Sequence, residues 1–131
     1  TLYHLRDDAI YAAVRVITQM VKGGQSITDF MDLLPEQHAT PELRIDCPDT
    51  VKFDSMEKIW AHVISEHDAA DVNSIDGVRV RSGDGWWLIR ASNTEAALVA
   101  RAEAADRTAL DRLLGDIETT LAAAGLDWKR P

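Results

Sequence analysis

GVRVRSGDGWWLI, residues 77–89, is the stretch that decides the fold. Its first half alternates valine with arginine, which is the period-two pattern of a strand with one buried face. The sequence Gly83-Asp84-Gly85 then predicts a tight hairpin turn, and residues 86–89 form the returning strand. A further alternating run follows at residues 98–104. The sequence therefore predicts three consecutive antiparallel strands.

Helical patterns lie on both sides of these strands. After them, Asp106 can cap a helix that runs to residue 123, and Gly125 ends it. Before them, a short strand is predicted at residues 42–47, and a helix follows it at residues 51–66. The expected buried stripe of this helix consists of Phe53, Met56, Trp60, Val63 and Ile64. This order predicts an α+β fold: an antiparallel sheet of about four strands with two helices on one face.

The N-terminal part predicts a separate helical segment. Apolar residues recur at helical spacing over 7–21, Asp7 and Asp8 favour the positive end of that helix, and Gly23 and Gly24 end it. A capping box from Ser26 predicts a short second helix before Pro35. Prolines are then frequent, which is typical of a connection. We place the boundary at 35–40, which divides the chain into residues 1–34 and 35–131.

Composition limits the classes of function. The chain has 131 residues and a formal net charge of −8, so a nucleic acid would meet a repulsive field. No apolar stretch approaches the roughly 20 residues of a membrane span. Cys47 is the one cysteine, which excludes an intramolecular disulfide, and we expect a cytoplasmic protein. His62 and His67 are five residues apart, off the four-residue spacing of helical metal ligands, and we expect no metal site.

The connection at residues 90–95, Arg-Ala-Ser-Asn-Thr-Glu, is unusually polar for a hairpin loop and lacks glycine. Arg90 supplies a planar guanidinium that matches two phosphate oxygens. Ser92 and Thr94 supply hydroxyls and Asn93 supplies an amide, while Glu95 is expected to orient Arg90 or another side chain. The alternative is a solvated arginine followed by a turn in which side-chain hydroxyls bond the backbone.

Three motifs resemble one family. The runs 76–80 and 84–95 resemble the C-terminal domain of the phosphohexomutase superfamily, with the bacterial phosphomannomutase/phosphoglucomutase branch the most similar. Residues 7–13 resemble the helix that closes that family's third domain, and residues 40–44 resemble the entry to its fourth. Ala96 departs from the pattern, because many members have proline there.

The resemblance implies a TATA-box-binding-protein-like fold and a role in moving phosphate between the 1- and 6-positions of a hexose. It assigns substrate phosphate binding to Arg90, Ser92, Asn93 and Thr94, with Glu95 in support. The phosphorylated serine, the Mg²⁺ loop and the sugar-recognition loop of the family do not occur in these residues. The expected partners are therefore a hexose phosphate, mannose or glucose, and three further domains, and we expect residues 1–131 alone to be inactive.

A second hypothesis stays open from the residues alone. The chain could be a non-enzymatic module that uses an exposed sheet to bind a protein partner.

Overall fold

A computed structural model describes residues 8–24 and 26–130. The chain divides into two compact units, Thr1–Glu36 and Gln37–Pro131. The division falls inside the predicted connection at 35–40. That the first unit is the tail of a preceding domain stays a prediction.

The first unit contains two helices, α1 (Ala9–Gly23) and α2 (Ile27–Met31). The carboxylate of Asp8 accepts a hydrogen bond from the Tyr11 amide at 2.8 Å, which caps α1. Gly24 ends the helix in the left-handed region, at φ 63°. The predicted capping box at Ser26 is confirmed at the start of α2. Asp7, the other predicted first-turn carboxylate, lies outside the described residues.

The second unit is built on a six-stranded antiparallel sheet. The strands lie in the order β1-β6-β5-β4-β3, and β2 pairs with β6 beside β1. Their bounds are β1 His38–Ala39, β2 Leu43–Asp46, β3 Val72–Asn73, β4 Val78–Ser82, β5 Gly85–Ala91 and β6 Ala97–Ala104. The four longer strands, β2, β4, β5 and β6, are the four strands that the sequence predicted. The two-residue strands β1 and β3 extend the sheet at its edges.

Two helices cover one face of this sheet, α3 (Asp49–Glu66) and α4 (Arg107–Ala123), and both pack against β5 and β6. Trp87 and Ile89 of β5 point towards these helices and are at most 1% exposed. Leu113, Ile117 and Leu121 of α4 are buried against them. Asp106 caps α4 by accepting from the Ala109 amide at 2.7 Å. The predicted α+β fold is confirmed.

The predicted buried stripe of α3 is confirmed only in part. Val63 is buried and Met56 is partly buried against the core, but Phe53 is 70% exposed, and Trp60 and Ile64 are also exposed. Besides Val63, the buried face carries Lys52, Ser55 and Ile59. Two polar residues can lie there because each has a buried hydrogen-bond partner: the Cys47 thiol donates to Ser55 at 3.8 Å, and Lys52 binds backbone carbonyls.

Two predicted boundaries also move. Thr40 belongs to the sheet rather than to the connection, because its amide donates to the Ala102 carbonyl at 2.9 Å and its hydroxyl accepts from the Ala102 amide at 3.1 Å. Arg90 and Ala91 extend β5, so the polar loop between β5 and β6 consists of residues 92–96. None of the described helices is long and apolar enough to cross a bilayer.

Candidate phosphate-binding site

The loop 92–96 joins the end of β5 to the start of β6. The Ser92 amide donates to the Ala97 carbonyl at 3.0 Å and closes the loop at its base. Asn93 and Thr94 are exposed at its tip, whereas Ser92 is only 9% exposed. The structure thus gives the predicted ligands different surroundings, two of them in solvent and one at the base.

Ser92 organises the backbone of this loop. Its hydroxyl oxygen accepts hydrogen bonds from the amides of Thr94 at 3.4 Å and Glu95 at 3.2 Å. This is the hydroxyl-to-backbone turn that the sequence left open as an alternative. The two interpretations are compatible, because a hydroxyl that accepts two bonds still has its own proton to donate.

Lys52 of α3 binds the backbone of the same loop. Its ammonium donates to the carbonyl of Ser92 at 2.8 Å, to that of Glu95 at 2.9 Å, and to the carboxylate of Asp49 at 2.6 Å. Its side chain is 6% exposed. The sequence interpretation missed this residue, because a lysine on a helix is normally solvated. The sequence does contain a signal for its burial: its spacing from Ile59 and Val63 places all three residues on one face of the helix.

A second basic residue fixes the side chain of Glu95. The guanidinium of Arg44 on β2 donates to the carboxylates of Glu95 and Glu42. The hydrogen bond to Glu95, followed by the negative charges of Glu95 and Glu42, raises the pKa of Arg44. Glu95 therefore orients Arg44 rather than Arg90.

Arg90 is the basic side chain nearest in sequence to the loop. It is half-buried near the end of β5, opposite Val99 of β6. None of the ion pairs within residues 8–24 and 26–130 involves it. On its other side lies Gly77, where a Cβ atom would come within 2.5 Å of the Arg90 Cβ. The close approach explains a glycine immediately before β4.

Arg90 belongs to a basic face of the sheet, opposite the face that α3 and α4 cover. Alternation along the strands puts five arginines on it: Arg44, Arg79, Arg81, Arg90 and Arg101. The Arg79 guanidinium lies 4.6 Å from the ring centre of Trp86, and Arg81 is paired with Asp71. A chain with net charge −8 thus has a local basic surface beside the polar loop.

The described residues contain no group of three or more His, Cys, Asp or Glu side chains that could hold a metal ion. Cys47 is fully buried beside Ser55. The site contains groups that can donate hydrogen bonds to an anion: the guanidinium of Arg90 and the exposed side chains of Asn93 and Thr94, beside a loop whose backbone is held by Ser92 and Lys52.

Comparison with known proteins identifies the family of this chain. Residues 42–120, which include the loop, match the family model described as phosphoglucomutase/phosphomannomutase, C-terminal domain. The chain belongs to this family. Over 115 residues it is 36% identical to a phosphomannomutase/phosphoglucomutase from Pseudomonas putida, an alignment that covers 88% of this chain and 24% of the relative.

Other relatives extend the comparison. A phosphoglucosamine mutase from Methanococcus maripaludis is 32% identical over 85% of this chain and 24% of its own length. A solved phosphoglucomutase/phosphomannomutase family protein from Burkholderia thailandensis superposes with a TM-score of 0.75 at 29% identity, over 95% of this chain and 26% of that one. The chain therefore spans about a quarter of the length of these relatives.

Proposed function

We propose that this chain is the phosphate-binding C-terminal domain of a phosphomannomutase/phosphoglucomutase. One observation carries the proposal: Arg90 has no carboxylate partner among the described residues, and it lies beside a fixed polar loop within the region matched by the family model. Arg90, Ser92, Asn93 and Thr94 are the proposed phosphate ligands. Glu95 supports them by fixing Arg44 at the side of the loop.

The reaction explains why such a site is useful. A hexose that carries phosphate at position 1 or 6 must present each end in turn to the reacting group. The site that holds the other end has to recognise phosphate and tolerate either sugar orientation. Guanidinium, amide and hydroxyl donors recognise phosphate oxygens by charge and hydrogen bonding. We propose that the phosphorylated serine and the Mg²⁺ of the full-length enzyme belong to its other domains, and that the cytoplasm is its location.

Magnitudes indicate that these residues bind weakly by themselves. Charge-assisted hydrogen bonds contribute about 1.5–3 kcal/mol each, so three or four supply roughly 5–10 kcal/mol. Association costs about 4–15 kcal/mol in lost freedom. The expected affinity for a sugar phosphate is about millimolar or weaker, which corresponds to about −4 kcal/mol. We therefore expect no mutase turnover by residues 1–131 alone.

The decisive variant is Arg90→Ala, with Arg107→Ala as the charge-matched control. Arg107 lies at the start of α4 and is 78% exposed, so its removal changes net charge equally and leaves the site alone. NMR titration with mannose 1-phosphate, glucose 1-phosphate and mannose 6-phosphate measures the affinity. We expect all three to bind similarly, and Arg90→Ala to lose about tenfold or more.

Unphosphorylated mannose serves as the ligand control and is expected to shift nothing in residues 92–96. Equal binding by Arg90→Ala and the parent chain would overturn the proposal. Absence of any phosphate-dependent shift would favour the second hypothesis, a protein-binding module that uses the basic face of the sheet.

A further inference from the structure

Lys52 is placed where the helix dipole and the burial of its side chain both oppose a positive charge. It is the fourth residue of α3, in the first turn, where the helix dipole disfavours a cation. Its side chain is also almost fully buried, which removes the ammonium from water. Three hydrogen bonds offset these costs, and two of them go to the loop between β5 and β6. An apolar side chain would avoid these costs but would leave the Ser92 and Glu95 carbonyls without their donor, so the task of the ammonium is to hold those two carbonyls.

The two carbonyls that it binds determine where two amide groups of the loop point. In a planar trans peptide the C=O and the following N–H point in opposite directions. Because the Ser92 carbonyl points to Lys52, the Asn93 N–H points away from Lys52. By the same geometry, the Glu95 carbonyl directs the Ala96 N–H away from it.

The remaining amides of the loop are already used. Those of Thr94 and Glu95 donate to the Ser92 hydroxyl oxygen. Within the described part of the chain, the Asn93 and Ala96 amides have no protein acceptor. The loop therefore divides its four consecutive N–H groups into two that close the turn and two that remain for a ligand.

We propose that Lys52 is a positioning residue for phosphate binding: by holding the carbonyls of Ser92 and Glu95, it presents the Asn93 and Ala96 amides to the phosphate. The inference rests on the proposed function and adds two backbone donors to its side-chain ligands. Lys52 does not touch the ligand. It acts through two peptide planes, and Asp49 completes its coordination at the protein surface.

The test compares Lys52→Met with Lys58→Met. Methionine keeps an unbranched, flexible side chain and removes the ammonium, while Lys58 is an exposed lysine of the same helix. Inorganic phosphate is titrated into each ¹⁵N-labelled 131-residue chain at constant ionic strength. We expect Lys52→Met to weaken phosphate binding, read from the amides of residues 92–96, by about tenfold or more. Lys58→Met should leave it unchanged.

A purely structural role gives a different result. Lys52→Met lowers the unfolding midpoint in either case, but with a purely structural role its folded molecules would bind phosphate as the parent does. That result overturns the inference and leaves the proposed function standing. If Lys52→Arg, which restores a cation, recovers part of the affinity, the positioning role is supported. Absence of shifts in the parent chain overturns both.

A measurement on the parent chain covers the case in which Lys52→Met does not fold. An ammonium bonded to three acceptors exchanges slowly enough with water to give a side-chain ¹⁵N signal. Phosphate on the Asn93 N–H polarises the peptide whose carbonyl binds Lys52. The Lys52 signal should therefore move with the same phosphate dependence as the Asn93 amide, while the backbone amide signal of Lys58 stays constant. A Lys52 signal that ignores phosphate while Asn93 responds contradicts the inference.

Discussion

The two connections at the ends of strand β5 are held in place by different interactions. Towards β4 lies a two-residue turn, Gly83–Asp84, with the adjoining ladder pair Ser82 and Gly85. Its aspartate is bound by Arg112 of α4, in an exposed ion pair. Towards β6 lies the loop 92–96, which has no glycine and is held by a buried lysine.

The two connections differ in what their ordering costs. A short turn with glycine needs no buried charge, and an exposed ion pair on its tip contributes little to stability. The loop 92–96 requires an ammonium taken out of water and two carbonyls turned inward. Such local departures from the usual rules are expected at functional sites. This contrast supports the proposal that the loop binds a ligand, whereas the turn only reverses the chain.

The largest expected effect of a single substitution on stability is at Lys52. Lys52→Met leaves the Ser92 and Glu95 carbonyls without their donor, and unsatisfied buried groups cost about 1–3 kcal/mol each. We expect the free energy of unfolding in urea to fall by about 2–4 kcal/mol. Lys58→Met should change it by less than about 0.5 kcal/mol. Equal effects of the two variants would show that the loop does not depend on the ammonium.

A smaller effect is expected at Gly77, beside Arg90. Gly77 has a φ of +78°, and an added Cβ would lie 2.3 Å from the Ile89 carbonyl oxygen. Gly77→Ala should therefore cost about 1–3 kcal/mol and shift the Arg90 resonances. Gly83→Ala in the turn is the control, because nothing lies within 4 Å of its Cβ and its φ is ordinary, so its stability should change by less than about 1 kcal/mol. A destabilisation at Gly83 that equals the one at Gly77 would contradict this account.

The smallest effect is at the turn itself, and it depends on pH. The hydrogen bond from Arg112 lowers the pKa of Asp84 below its ordinary value. A lowered carboxyl pKa stabilises the fold above the ordinary value, and this contribution is lost as the pH falls through the folded-state pKa. Asp84→Asn should therefore be slightly less stable than the parent at neutral pH. The difference should begin to shrink as the pH falls below about 4, and it should vanish once Asp84 is protonated in the folded state as well.

Glu57→Gln is the matched control, since Glu57 is exposed and forms no ion pair among the described residues. Urea unfolding at several pH values measures both variants. A difference between parent and Asp84→Asn that grows on acidification would contradict the assignment to Arg112.

The sequence was sufficient for the elements whose pattern is local. Alternation along β4 and β5, the Asp106 cap and the left-handed Gly125 all depend on neighbours in the chain. The buried face of α3 could not be predicted this way. Lys52 and Ser55 are buried because each has a hydrogen-bond partner elsewhere in the chain, 40 and 8 residues away respectively. Phe53 is apolar and was therefore expected to be buried, but it is exposed.

The candidate site divides in the same manner. Arg90, Ser92, Asn93 and Thr94 could be selected from polarity and from the family resemblance. Their arrangement could not, because the loop is fixed by contacts with distant residues: Lys52 beneath it and Arg44 beside it. Nor could the sequence show which backbone amides of the loop are bound to Ser92, because that depends on how the loop folds.

A phosphate titration of the ¹⁵N-labelled chain, read at both ends of β5, tests the central claim most directly. Ionic strength is held constant, so that general screening does not change during the titration. The account predicts that the amides of Asn93 and Ala96 shift and saturate in the millimolar range, while those of Gly83 and Asp84 stay constant. Shifts of equal size at both connections, or none at residues 92–96, would contradict it.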